Sequence, residues 1–139
     1  MVKNRWVLDT SAWVAFYLRE SASQEMEAVV ASSRNRGVEI HAPALLFYEF
    51  HNALHVNVRR GRCAALDRDD FLDALAAMPI HMHEPPIRPV RLRVGELAEK
   101  HGLTVYDATY LELAERQGAK LKTFDRALLA LKDVYPWIE

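Results

Sequence analysis

A chain of 139 residues, half of them apolar and about a quarter charged, has the size and make-up of one globular domain spanning residues 1–139 around one core. Its single cysteine, Cys63, excludes an internal disulfide, fits a reducing cytoplasm and reads as a small apolar filler. The formal net charge is −1, but with four acids singled out below set aside, 15 of the 19 acidic side chains remain against 18 basic ones, which describes a mildly basic body around a concentrated acidic spot.

The opening MVKNRWVLDTSAW holds an apolar run that Asp9 cuts too early for a signal sequence or a membrane span. Arg5 to Leu8 reads as a short strand ending at Asp9, and Thr10 or Ser11 is suited to cap the helix through Trp13, Val14 and Phe16. Ser23 to Ser33 has helical spacing and stops near Gly37, and a strand through Val38 to His41 follows. Pro43 suits the first turn of a helix that runs from Ala44 to Val58. That helix is apolar on a second face through Phe47, Phe50, Leu54 and Val58, which asks for cover on both sides.

Asp67 or Asp69 can cap a helix from Phe71 to Met78, Ile80 to His83 forms a third strand, and EPPIRP reads as a loop. Helices from Val90 to His101 and from Tyr106 to Gln117 are closed by Gly102 and Gly118. Lys120 to Phe124 is a strand, Leu128 to Leu131 a last short helix, and Val134 with Tyr135 an edge strand. Strands alternating with helices predict a three-layer α/β/α fold whose mostly parallel sheet has about four to five short strands.

In such a sheet the functional crevice lies beyond the carboxyl ends of the strands, and Asp9 and Asp125 each follow a predicted strand. Asp107 falls in the first turn of its helix, where free N–H groups favour a negative charge. Glu49 projects from a stripe that otherwise reads as buried, between Leu45 and Ala53, and a buried ionised glutamate needs either an arginine or a cation. Four carboxylates in one place repel one another unless a divalent ion intervenes. A donor set of oxygens alone selects a hard cation, Mg²⁺ or Mn²⁺, and phosphodiester hydrolysis is the chemistry such a site serves.

Three strings carry a family resemblance: VLDTSA at Val7 to Ala12, the isolated glutamate of FYEF, and YDATYLELAERQGAKLKTFD at Tyr106 to Asp125. The last fixes an acid at a helix start, a glycine stop, a strand and a second acid in order. Together they resemble a PIN domain, and the compact length is most similar to the toxin nucleases of the VapC type. The resemblance implies a PIN-like fold and RNA cleavage at a Mg²⁺ or Mn²⁺ site held by Asp9, Glu49, Asp107 and Asp125, with Ser11 and Thr123 orienting carboxylates or water. It also implies a VapB-like antitoxin partner and a homodimer.

Arg59, Arg60 and Arg62, and a second group of Arg88, Arg91 and Arg93, are candidate phosphate contacts. Trp13, Tyr17 and Tyr48 suit either base stacking or the core. His51 with His55, and His81 with His83, have metal-ligand spacing, but neither a zinc-protease glutamate nor a cysteine joins them. A housekeeping RNA-processing nuclease shares the same site. A receiver-like phosphoacceptor would need paired acids after the first strand, where Asp9 stands alone, and a non-catalytic RNA- or partner-binding module would tolerate losing an acid, yet all four are present.

Overall fold

The computed structural model describes residues 4–20 and 23–139. Residues 1–3, part of the amino-terminal stretch read above, and residues 21–22 lie outside the described residues. In chain order the elements are β1 (Asn4–Leu8), α1 (Thr10–Tyr17), α2 (Ser23–Arg34), β2 (Val38–Pro43), α3 (Leu45–Arg59), α4 (Ala65–Ala76), β3 (Ile80–His83), α5 (Arg88–His101), α6 (Val105–Gln117), β4 (Lys120–Lys122) and α7 (Arg126–Leu129).

The four strands form one sheet in the order β3-β2-β1-β4, every pairing parallel. Central β1 buries Trp6, Val7 and Leu8 in succession, the continuous apolar run expected of a parallel strand covered on both faces. From β1 the chain steps outward to β2 and β3, then returns to lay β4 on the other side of β1. Such a reversal of direction is where open parallel sheets set their functional crevice, here beyond the carboxyl ends of β1 and β4. A backbone bond of 3.2 Å from the Asp9 N–H to the Lys122 carbonyl continues the β1–β4 pairing to the rim of that crevice.

Helix α3 buries Leu46, Phe50 and Leu54 at successive intervals of four, a single stripe whose full burial contributes about 1.5–3 kcal/mol per side chain. Phe50 and Leu54, read above as a second apolar face, therefore belong to the core, while Tyr48 is 78% exposed. Helix α6 is the most enclosed, with Ala108, Tyr110, Leu111, Leu113 and Ala114 all buried. Gly102 and Gly118 end α5 and α6 at φ 64° and 59°, the left-handed closure the sequence predicts.

Several boundaries differ from the sequence reading. Asp9, not Thr10 or Ser11, caps α1, accepting from the Ala12 N–H. Pro43 closes β2 and does not open α3. Helix α4 begins at Ala65, so Asp67 and Asp69 lie inside it and not at its cap. The end of EPPIRP is helical: α5 starts at Arg88 and carries Pro89 in its first turn, where a missing N–H costs nothing.

Strand β4 stops at Lys122, before Phe124, and α7 begins at once after Asp125. No strand forms at Val134 and Tyr135, which lie in and after a turn. Pro136 has no N–H to give a ladder, and the ladder contact falls to the last residues instead. Leu121 bonds to the Trp137 carbonyl at 3.0 Å and accepts from Glu139 at 2.8 Å, with Ile138 bridging in parallel. The carboxyl terminus thus covers the open edge of β4. Among the described residues no helix is long and apolar enough to cross a membrane.

Candidate active site

The acid after β1 is held on all sides by neutral donors. Asp9 is 4% exposed. Its Oδ1 accepts from the Ala12 N–H at 3.1 Å and from the Ser11 hydroxyl at 2.5 Å, and its Oδ2 accepts from the Thr123 hydroxyl at 2.5 Å. Both hydroxyls also accept from backbone: Phe124 N–H donates to Ser11 Oγ at 2.8 Å and Asp125 N–H to Thr123 Oγ1 at 2.9 Å. Ser11 and Thr123 therefore stitch the loop after β1 to the loop after β4, with Asp9 at the seam. Burial pushes the Asp9 carboxyl up to about 6 against the pull of these hydrogen bonds, and the charge of Asp107 pushes it in the same direction.

Asp125 caps α7, its Oδ1 accepting from the N–H groups of Ala127 and Leu128 at 2.9 and 3.2 Å. Asp107 is partly buried in the first turn of α6, with its own N–H donating to the capping hydroxyl of Thr104 at 3.1 Å. Burial raises the Asp107 carboxyl, and so do the negative charges of Asp125 and Glu49. Asp107 thus feels Asp125 and Glu49 and is felt by Asp9, so the four predicted acids share one electrostatic neighbourhood although β1, α3, α6 and β4 deliver them separately.

Glu49 departs from its sequence reading. It is half-buried, not enclosed, and among the described residues no arginine meets it; two hydroxyls do. Tyr110 donates to Glu49 Oε1 at 2.7 Å and Thr10 to the same oxygen at 3.1 Å. Thr10 and Tyr110 also lie 3.1 Å apart. Sequence reasoning missed both. The signal available was the spacing of Asp107 and Tyr110, three apart on one helical face, and the position of Thr10 beside the first acid.

Among the described residues none of the four acids is ion-paired to a lysine, arginine or histidine, and no group of three or more His, Cys, Asp or Glu side chains stands ready in a metal-holding arrangement. Repulsion among uncompensated carboxylates and their engagement by hydroxyls explain that spacing. The donor chemistry nonetheless fits a hard divalent ion: carboxylate oxygens, hydroxyls and no fixed cation.

The remaining candidates lie elsewhere. His51 and His55 are exposed on α3 beside Tyr48. On the sheet, His81 stacks on His41 with ring centres 4.8 Å apart, and His83 Nε2 lies 2.9 Å from His41 Nδ1, whose other ring nitrogen faces Glu39 at 3.2 Å. Burial lowers the basicity of both His41 and His83, and the pair has the character of a neutral hydrogen-bonded couple. Trp13 is fully buried, which removes it from base stacking. Arg93 is committed to Glu115 at 2.7 Å and Glu96 at 3.3 Å, whereas Arg59, Arg60 and Arg62 are exposed. A concavity of about 450 Å³ sits at the opposite end of the sheet, lined by Asn4, Arg5 and Lys120 among others, away from the acids.

The chain, taken over most of its length, has counterparts among known proteins. The model of the PIN domain matches residues 6–134. The chain belongs to the PIN-domain family. A sequence relative, Ribonuclease VapC3 of Pyrobaculum aerophilum, is 36% identical over 126 residues, 88% of this chain and 90% of that one. Exonuclease VapC9 of the same organism is 40% identical over 86 residues, 62% of each chain. Among solved structures, VapBC2 of Rickettsia felis bound to a DNA fragment from their promoter shares the PIN-like fold at a TM-score of 0.65 and 15% identity, covering 97% of both chains.

Proposed function

We propose that this PIN-domain protein is a metal-dependent endoribonuclease, the toxin of a toxin–antitoxin pair, with Asp9, Glu49, Asp107 and Asp125 as catalytic and metal-holding residues and Mg²⁺ or Mn²⁺ as the ion. The observation that supports the reading is that Asp107 lies near enough to Asp9, Asp125 and Glu49 for their charges to act on one another, while among the described residues no cationic side chain is ion-paired to any of the four. The 36% identity to a protein named as a ribonuclease supports RNA as substrate. The fold shared with a VapBC assembly supports a VapB-like antitoxin, and a homodimer and a cytoplasmic setting accord with it.

A hard divalent ion in this site supplies charge neutralisation and Lewis acidity toward a phosphoryl oxygen. The chain itself contributes position. Ser11 and Thr123 lock the orientation of Asp9, α7 fixes Asp125 through its capping bonds, and the first turn of α6 presents Asp107. Hydrolysis forms a P–O bond from water and breaks the P–O bond to the leaving oxygen, with one proton of the water passing to that oxygen and the other to solvent, and the acids would gather the cation and orient the attacking water. Exposed Arg59, Arg60 and Arg62, with Tyr48, are available to hold the strand.

The test is cleavage of RNA by purified protein with Mg²⁺, with Mn²⁺ and with EDTA, alongside Asp9→Ala and Asp107→Asn to control for contaminating nucleases. Cleavage of a circular RNA, which has no ends, establishes the endonucleolytic mode. Absence of cleavage with either ion, or activity that survives both substitutions, refutes the proposal.

A further inference from the structure

The tyrosine that sequence reasoning overlooked carries a role of its own. Glutamate is a poor fixed ligand, because its long side chain gives up much rotamer freedom when held still. Glu49 is the one acid of the four that comes from α3, across the crevice from α6. What restrains it is the phenol of Tyr110, 1% exposed in the most enclosed helix of the fold, with the Thr10 hydroxyl beside it.

Both donors converge on the same oxygen, Oε1. A carboxylate oxygen has two in-plane lone pairs, and two hydroxyls are directed at Oε1, while among the described residues none is hydrogen-bonded to Oε2. The ring of Tyr110 cannot move without opening the core. It stands three residues after Asp107, one turn along the same helical face, so α6 presents one acid directly and sets the reach of another through the phenol.

We infer that Tyr110, assisted by Thr10, is a positioning residue that fixes Glu49 as a one-oxygen ligand, so that α6 sets the spacing between Asp107 and Glu49 on which cation binding depends. This rests on the metal-dependent reading above. A neutral phenol suits the task because it orders the carboxylate without cancelling its charge, which a lysine or arginine at the same place would do.

The experiment measures Mn²⁺ affinity by electron paramagnetic resonance for the full chain and for Tyr110→Phe, Thr10→Val, Glu49→Gln and the Tyr110→Phe/Glu49→Gln double variant, with thermal melts in EDTA on the same samples. Tyr110→Phe keeps the ring and is expected to weaken Mn²⁺ binding by about 10- to 100-fold, the range for partners that orient metal ligands. Thr10→Val, which keeps the β-branched shape, changes it in the same direction by less. The double variant binds no more weakly than Glu49→Gln alone, because the phenol acts only through that carboxylate.

Wild-type affinity in Tyr110→Phe beside a weakened Glu49→Gln overturns the positioning role and leaves the metal reading intact. Multiplying effects in the double variant overturn it too. Wild-type affinity in Glu49→Gln, or no binding by the wild-type chain, removes the ligand role of Glu49 and the inference with it. If Tyr110→Phe melts early in EDTA, Thr10→Val decides alone.

Discussion

Replacing Asp9 with asparagine is expected to make the metal-free protein more stable near neutral pH and less active. Burial holds the Asp9 carboxyl at about 6 in the folded state against 3.8 for a free side chain. Because the folded pKa lies above the unfolded one, the native state holds the proton more tightly, and stability attributable to this group is greatest below about pH 4. It is lost as pH rises from about 4 to 6. Above pH 7 the ionised side chain costs, at about 1.36 kcal/mol per unit, roughly 3 kcal/mol. Asparagine removes that cost while keeping the shape and the bond from the Ala12 N–H, but one hydroxyl must turn to accept from its amide, at about 1 kcal/mol.

The net gain is then about 1–2 kcal/mol at pH 7.5, shrinking to nothing or reversing at pH 4.5. Urea unfolding in EDTA at the two pH values reads it directly, and the difference between variant and wild type cancels the other titrating groups. A variant that is less stable than wild type by the same amount at both pH values refutes the reasoning. Saturating Mg²⁺ should erase the gain, because a bound cation stabilises only the chain that keeps the charge.

Tyr17→Phe should raise stability by about 1 kcal/mol or more, since the Tyr17 hydroxyl is buried with no hydrogen-bond partner among the described residues, packed by ring contacts to Trp13, Phe16, Phe50 and Phe71; a lower denaturation midpoint argues against it. Ser11→Ala removes one donor from Asp9 and orphans the Phe124 N–H, so a loss of about 2–3 kcal/mol is expected in chemical denaturation, and an unchanged midpoint contradicts the proposed seam between the two loops. Leu54→Ala, at a fully buried position of α3, should cost about 2–5 kcal/mol in the same measurement, whereas a loss below 1 kcal/mol would place that stripe outside the core.

The fold was legible where periodicity and punctuation agree. Arg5 to Leu8 before Asp9, and the glycine stops after α5 and α6, read directly as a strand and two helix ends, and the structure places them there. Boundaries failed where local preference was overruled. Asp67 and Asp69 are good caps in isolation, but α4 starts at Ala65 after the extended Ala64, with no side-chain cap, so Asp67 falls in its first turn, where a negative charge is favoured without capping. The tail failed for another reason: pairing of Trp137 to Glu139 with β4 is a long-range event that no local pattern at Val134 reports.

Legibility of the site divides between charge and its support. Four acids stand out in a sequence because burying a charge demands a reason, whereas a threonine, a serine or a tyrosine is unremarkable at a cap, in a strand or in a core. Yet the hydroxyls of Thr10, Ser11, Tyr110 and Thr123 make six hydrogen-bond contacts to Asp9 and Glu49 or between one another. Neutral donors are the arrangement that physical chemistry favours here. Fixed cations would satisfy the carboxylates better and, in doing so, occupy the place of a divalent ion; apolar packing would drive the pKa of Asp9 up further and leave it protonated. Hydroxyl donors lower that pKa part of the way without setting a fixed cation against the carboxylate. The residual destabilisation of Asp9 accords with the proposed function, since a site relaxed enough to cost nothing would have no unspent charge with which to hold a cation.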